Sequence, residues 1–203
     1  MALYVLRHGE TLWNREHRFQ GRLDSPLTER GRDQARRQGV ALRRALGDMI
    51  PVLVSSPLGR AVETMRLACA AAGWDPTGGR LDPDLREISL GDYDGLTRDE
   101  IPDFAGLAAL HPAPDSFLFH CPGGETWAAM VERIDRALAR LDPAAESIVF
   151  AHGISGKLLR GRALGLDQAA ILALDHPQDA FYRIMAGRAE RLNAPPALVE
   201  VAA

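Results

Sequence analysis

Three short apolar runs, at residues 2–6, 52–54 and 148–151, constrain this chain more than any other feature. None alternates polar with apolar residues, so each reads as a strand covered on both faces, the pattern of a parallel sheet. A helical segment follows each run. Thr28 is placed to N-cap a helix that carries Ala35, Leu42 and Leu46 on its inner face and stops at Gly47. Pro57 suits the first turn of a second helix reaching about Ala72. Residues 154–164 supply a third. Strand and helix in alternation predict the α/β class: a single three-layer α/β/α domain over residues 1–203 with a mostly parallel central sheet.

Between the second and third units, roughly residues 81–124, the chain is rich in Gly, Pro and Asp and reads as a lid insertion. Beyond it, Trp127, Met130, Val131, Ile134, Leu138 and Leu141 recur at helical spacing and belong to a core-facing stripe. Residues 181–185 and 188–192 flank Gly187 as a hairpin at the sheet edge.

Composition narrows the function. With 203 residues and a formal net charge of −3, the chain can bury one sizeable core and lacks the basic surplus that selects a nucleic-acid backbone or an anionic membrane. No apolar run is long enough to span a bilayer, and only six residues precede Arg7, so a cytoplasmic protein is expected. The two cysteines, Cys69 and Cys121, have no metal or redox spacing. Of the 24 basic residues, all but Lys157 are arginine. An oligomer is left open.

Each apolar run ends in a cation or an imidazole: Arg7 with His8, Arg60 just after the second run, and His152 after the third. The C-terminal ends of parallel strands share one rim, where ligands bind. Two arginines and two histidines gathered there repel one another unless an anion joins them, which points to a phosphate or sulfate group. Helix N-termini at the same rim add partial positive charge.

The residues around these positions carry a family resemblance. Arg7-His8-Gly9-Glu10-Thr11, Trp13-Asn14, Arg18-Phe19-Gln20-Gly21, Ser55-Ser56-Pro57-Leu58-Gly59-Arg60-Ala61 with Thr64, and Ala151-His152-Gly153 resemble the histidine phosphatase superfamily, on the side of the phosphoglycerate mutase-like phosphatases. The resemblance implies that His8 is a nucleophile forming a phosphohistidine and that Arg7, Arg60 and His152 hold the phosphoryl oxygens. It also implies that Glu87 hands a proton to the leaving group. Asn14, Gln20 and Gly21 match positions lining the family's phosphate and substrate pocket. The substrate is then a small phosphorylated metabolite. No cofactor and no metal are called for, because the arginines supply the charge that other phosphatases take from a divalent ion.

Two rival functions follow from the same residues. A phosphoglycerate mutase needs extra cations on its lid, and no Lys or Arg occurs between Arg98 and Arg133; Phe104, Leu107, Leu110, Phe117 and Phe119 stand there instead. Asp99, Glu100, Asp103, Asp115, Glu125 and Glu132 in that stretch then have no cation to offset them, and a leaving group without further negative charge is expected. A non-catalytic phospholigand-binding module would need the arginines but not His8 and Glu87 together. His17, His111, His120 and His176 have no role that the sequence assigns.

Overall fold

The computed structural model describes residues 2–196. Its elements in order are β1 (Leu3–Arg7), α1 (Leu12–Arg15), α2 (Glu29–Leu46), β2 (Val52–Ser55), α3 (Gly59–Ala72), β3 (Arg80–Leu81), α4 (Phe104–Leu110), α5 (Trp127–Ala139), β4 (Ser147–Ala151), α6 (Gly153–Ala163), α7 (Gln168–Ala173), β5 (Ala180–Met185) and β6 (Arg188–Asn193). The six strands form one sheet in the order β3-β2-β4-β1-β5-β6. The β3–β2, β2–β4 and β4–β1 pairs are parallel, and β5 and β6 are antiparallel.

The missing alternation in the apolar runs has its cause in two cores on opposite faces of this sheet. Tyr4, Leu6, Leu53, Ile148 and Phe150 pack with Leu42 and Leu46 of α2 and with Met65 and Cys69 of α3. Their neighbours Val5, Val54, Val149 and Ala151 face the other way, against Met130 and Ile134 of α5 and Leu158 and Leu159 of α6. The chain is a single α/β domain with helices on both sides. Phe150 is fully buried, so Phe150→Ala is expected to cost about 3–5 kcal/mol.

Local chemistry sets the helix ends. Thr28 Oγ1 accepts the Gly31 N–H at 3.0 Å and opens α2, which Gly47 closes at a positive φ of 59°. Helices α2 and α3 meet where Gly39 lies against the Ala68 carbonyl; a methyl group on Gly39 would sit 2.1 Å from that oxygen. Pro57 does not open α3 as the sequence suggests. Leu58 is its N-cap and offers no side-chain bond, and the Asp24 carboxylate caps the helix from a distant loop by accepting the N–H groups of Gly59 and Arg60.

Two features depart from the sequence expectation. Leu81, read as the start of a lid, is paired in the sheet, since β3 is a two-residue edge strand whose brevity hides it from any periodicity. Much of the stretch that follows is core: Leu85, Ile88, Leu90, Leu118, Phe119 and Cys121 are buried against α5 and α6. Helix α4 has no buried residue. The expected hairpin is present, with Ala186 and Gly187 both at positive φ in its two-residue turn.

Candidate active site

The parallel pairing puts the ends of β1, β4 and β2 side by side. The His8 N–H donates to the Ala151 carbonyl at 3.1 Å and the Ser56 N–H to the Phe150 carbonyl at 2.9 Å, so the ladder continues one residue past each strand end. His8, His152 and Ser56 are thereby brought to one rim. The rings of His8 and His152 lie 5.2 Å apart, and His152 Nε2 is 2.7 Å from Ser56 Oγ. His8 Nδ1 is 2.8 Å from the Gly9 carbonyl. A carbonyl only accepts, so Nδ1 carries the proton and Nε2 keeps its lone pair.

A cleft of about 890 Å³ opens over this rim, lined by Arg7, His8, Asn14, Gln20, Gly21, Arg60 and Glu87 among others. Those are seven of the eight residues the sequence singles out. His152 is not on the cleft lining; it is buried behind, against the His8 ring and Ser56.

The two arginines are held by backbone oxygens. Arg7 Nη1 donates to the His176 carbonyl at 2.8 Å. Arg60, 2% exposed, donates to the carbonyls of Leu23 at 2.6 Å and Gly21 at 2.9 Å and to the Asp24 carboxylate at 3.1 Å. Arg7 Nε, Arg60 Nε and His152 Nδ1 are buried without a hydrogen-bond partner among the described residues. Burial pulls Arg7 down to about 10, which leaves it charged at neutral pH. Burial first, then Arg60 and Arg7, pushes His8 well below the usual imidazole range, and burial with Arg60 does the same to His152. Both rings are neutral between the two cations.

Glu87 is fixed by three backbone donors: the N–H groups of Ile88 at 3.0 Å, Ile154 at 3.1 Å and Ser155 at 2.9 Å. The last two belong to the first turn of α6, so one helix start orients both His152 and this carboxylate. Asn14 Oδ1 accepts the N–H of Thr11, the N-cap of α1, at 3.2 Å and also accepts from Gln178 Nε2 at 3.0 Å. Gln20 is buried, and its Oε1 has no partner among the described residues.

Several residues that build the site are not among those eight, and Gln178, Gln38 and Arg133 lie outside the motifs altogether. Gln178 donates to the His8 carbonyl at 3.2 Å as well as to Asn14, and Gln38 donates to the Gln178 carbonyl at 2.9 Å. Thr64 accepts the Gly9 N–H at 3.0 Å and donates to the Arg60 carbonyl at 2.7 Å, which ties the His8 loop to α3. Arg133 bonds the carbonyls of Asp84, Arg86 and Glu87 and makes a two-pronged pair with Glu125. Its position held one available signal: it falls beside Met130 and Ile134 on the buried stripe of α5. His176 lines the cleft, with burial, Arg7 and Lys157 lowering it to about 4. His17 also lines the cleft, whereas His111 and His120 stack on each other with ring centres 3.6 Å apart.

Four of the six acidic residues of the 99–132 stretch are compensated by ion pairs. Glu100 pairs with Arg18, Asp115 with Lys157, Glu125 with Arg133 and Arg22, and Glu132 with Arg136. Arg18 and Arg98 both line the cleft. Phe104 and Phe117 pack with Phe19, their ring centres 5.2–6.4 Å apart, and Phe119 packs on Trp127. Among the described residues no three His, Cys, Asp or Glu side chains are grouped as metal ligands would be, and no helix is long and apolar enough to cross a membrane.

A neutral histidine between buried arginines, at the carboxyl ends of parallel strands and in one cleft with an oriented carboxylate, makes an anion site of the kind α/β proteins build at a strand rim. The chain belongs to the histidine phosphatase superfamily, branch 1, which it matches over residues 3–192. It is therefore an enzyme of the phosphatase and mutase type that this superfamily comprises. It is similar to the "Probable phosphoglycerate mutase GpmB" of Enterobacter sp. (strain 638), 37% identical over 174 residues that cover 82% of this chain and 76% of the relative. Among solved structures it resembles the protein TTHB049 from Thermus thermophilus, with 36% identity, a TM-score of 0.67, and 95% of this chain and 99% of that one covered. It also resembles a "putative alpha-ribazole-5'-P phosphatase" from Escherichia coli str. K-12 substr. MG1655, at 26% identity and a TM-score of 0.76 over 95% of this chain and 96% of that one.

Proposed function

We propose that this chain hydrolyses a small phosphomonoester through a phosphohistidine on His8, without a metal ion. The observation that carries this reading is the Gly9 carbonyl on His8 Nδ1, which leaves Nε2 unprotonated in a cleft shared with Arg7 and Arg60. Nε2 attacks phosphorus in line, the N–P bond forms, and the ester P–O bond breaks. Glu87 delivers a proton to the departing oxygen. Water then attacks the phosphohistidine, the N–P bond breaks, Glu87 takes up the water's proton, and inorganic phosphate leaves. Buried Nε–H donors on Arg7 and Arg60 without protein partners suit the oxygens of a phosphoryl group, whose transfer depends on stabilising spread negative charge.

Rapid quench with a labelled monoester tests the reading. An acid-labile, base-stable phosphoenzyme is expected in the native protein and none in His8→Ala; normal turnover by that variant would falsify the assignment. A non-catalytic phospholigand module would form no such species.

A mutase is the second reading, favoured by the naming of the relatives at 34–37% identity and by Arg98 on the cleft. Hydrolysis is preferred because Arg18, the other added cation, is already engaged by Glu100 and by the Gly95 carbonyl. The comparison is kcat/KM for an alkyl monophosphate against 3-phosphoglycerate, with phosphoryl exchange assayed in 2,3-bisphosphoglycerate. Exchange faster than phosphate release decides for the mutase.

A further inference from the structure

The chain's single lysine is placed where no surface role is open to it. Lys157 lies on α6, two residues past Ser155, with its side chain 4% exposed. Its ammonium donates to Asp115 Oδ2 at 2.7 Å and to the Leu172 carbonyl at 2.9 Å. Asp115 lies 42 residues earlier, at a left-handed backbone position (φ 56°) that aspartate tolerates better than most residues. Asp115 lines the cleft together with Ile154 and His176. Oδ2 is taken by the lysine; Oδ1 has no hydrogen-bond partner among the described residues.

We propose that Asp115 is a specificity-determining residue whose Oδ1, with Lys157 clamping the other oxygen from behind, accepts a hydrogen bond from a neutral hydroxyl on the leaving group. This rests on the reading of the cleft as a phosphomonoester site. The chemistry of the donor follows from charge. Lys157 already neutralises Asp115, so an added ammonium gains no net charge at this point, and a second anion brings no proton for Oδ1 to accept. A hydroxyl satisfies the acceptor without adding charge.

His176 shapes the same wall. A methyl group on Gly153 would sit 2.8 Å from His176 Cδ2 and 3.4 Å from Glu87 Oε2, so the imidazole and the proton-delivering carboxylate flank one point of the α6 start. The substrate class that an acceptor on this cleft suits is a monoester of a polyol or sugar alcohol.

The test uses binding as well as turnover. His8→Ala protein is titrated calorimetrically with glycerol 1-phosphate, propyl phosphate and 3-aminopropyl phosphate. Glycerol 1-phosphate is expected to bind at least about tenfold tighter than propyl phosphate, since a site built for a hydroxyl discriminates against the analogue lacking it. Adding Asp115→Ala should bring that ratio close to one. The double change Asp115→Ala/Lys157→Met, which removes both buried charges, should do the same if the single variant folds poorly. A ratio that survives both variants overturns the proposal and leaves the ion pair a purely structural strap; tighter binding of the amino ester overturns it in favour of a cation site. Phosphate release by the native protein is read separately. Hydrolysis of both carbon chains with no preference sinks the hydroxyl site alone, whereas the expected binding ratio without hydrolysis sinks the phosphatase reading alone. Failure of the native or His8→Ala protein to bind any of the three esters sinks both.

Discussion

His8 and Gly9 are joined by a hydrogen bond between the ring and the carbonyl of the very next residue, Nδ1 to O at 2.8 Å. The proposed nucleophile is thus oriented by its own backbone, and the loop that does so has no room for a side chain. A methyl group on Gly9 would lie 2.2 Å from the Gly31 carbonyl at the start of α2.

His8 and His152 are both held well below the ordinary imidazole range, by burial first and by Arg60 next. Their ring Cε1–H resonances should therefore not titrate as the pH falls from about 7.5 to about 5.5 in phosphate-free buffer, where a free histidine passes through its midpoint. A midpoint near 6.5 for the resonance lost in His8→Ala would contradict the electrostatics of the cleft.

The same shifts make folding stability depend on pH. His8, His152 and His176 bind protons more readily in the unfolded chain than in the folded one, so stability rises with pH across their range. The contribution is complete above about 6.5 and is lost as the pH falls; for His176 the loss continues down to about 4. Urea midpoints should drop between about pH 7 and about pH 5, and His176→Gln should flatten that slope. An equally steep slope in the variant would assign the effect to other groups.

Arg60→Ala should lower kcat by about 10²- to 10³-fold, the usual cost of one transition-state donor. Asp24→Asn should fall between this variant and the native enzyme, because Asp24 both pairs with Arg60 and caps α3. Steady-state kinetics with one monoester checks both. Native kcat in Arg60→Ala would remove Arg60 from the phosphoryl site.

Arg133 holds the backbone around Glu87 through the carbonyls of residues 84, 86 and 87. Glu87→Gln should slow alkyl esters strongly and spare an activated aryl phosphate, whose leaving group needs no proton. Arg133→Met should reproduce that selectivity in weaker form. Equal loss on both substrates would mean that Arg133 supports the fold alone, and for Glu87→Gln it would move the acid to Asp84, Asp92 or Asp94.

Exhaustive chelation should leave activity intact, since Arg7 and Arg60 already bring fixed positive charge to the cleft. Activity lost to EDTA and restored by a divalent ion would show that the cleft has been misread.

The strand ends can be read directly from the chain. Buried runs, capping residues such as Thr28 and the rule that parallel strands share a rim are local or topological facts, so the sequence alone gathers Arg7, His8, Arg60 and His152. Glu87 is legible only through motif likeness, and the structure adds the three N–H groups that aim it. The acidic 99–132 stretch looks uncompensated in the sequence because three of its four ion-paired carboxylates take partners outside their own helical turn. Arg18 reaches Glu100 across 82 residues, Lys157 reaches Asp115 across 42, and Arg133 reaches Glu125 across 8.

Periodicity and capping act within a turn or two of chain, and they settle which segments are strands and helices, which faces are buried and which ends meet. The supports behind the cleft are of another kind. Gln178 under His8, Asp24 at the head of α3, Arg133 beneath Glu87 and Lys157 behind Asp115 each join residues whose nearness exists only once helices have packed on both faces of the sheet. A buried polar group must find a partner, and in these cases the identity of that partner is set by packing, which no local pattern of residues encodes.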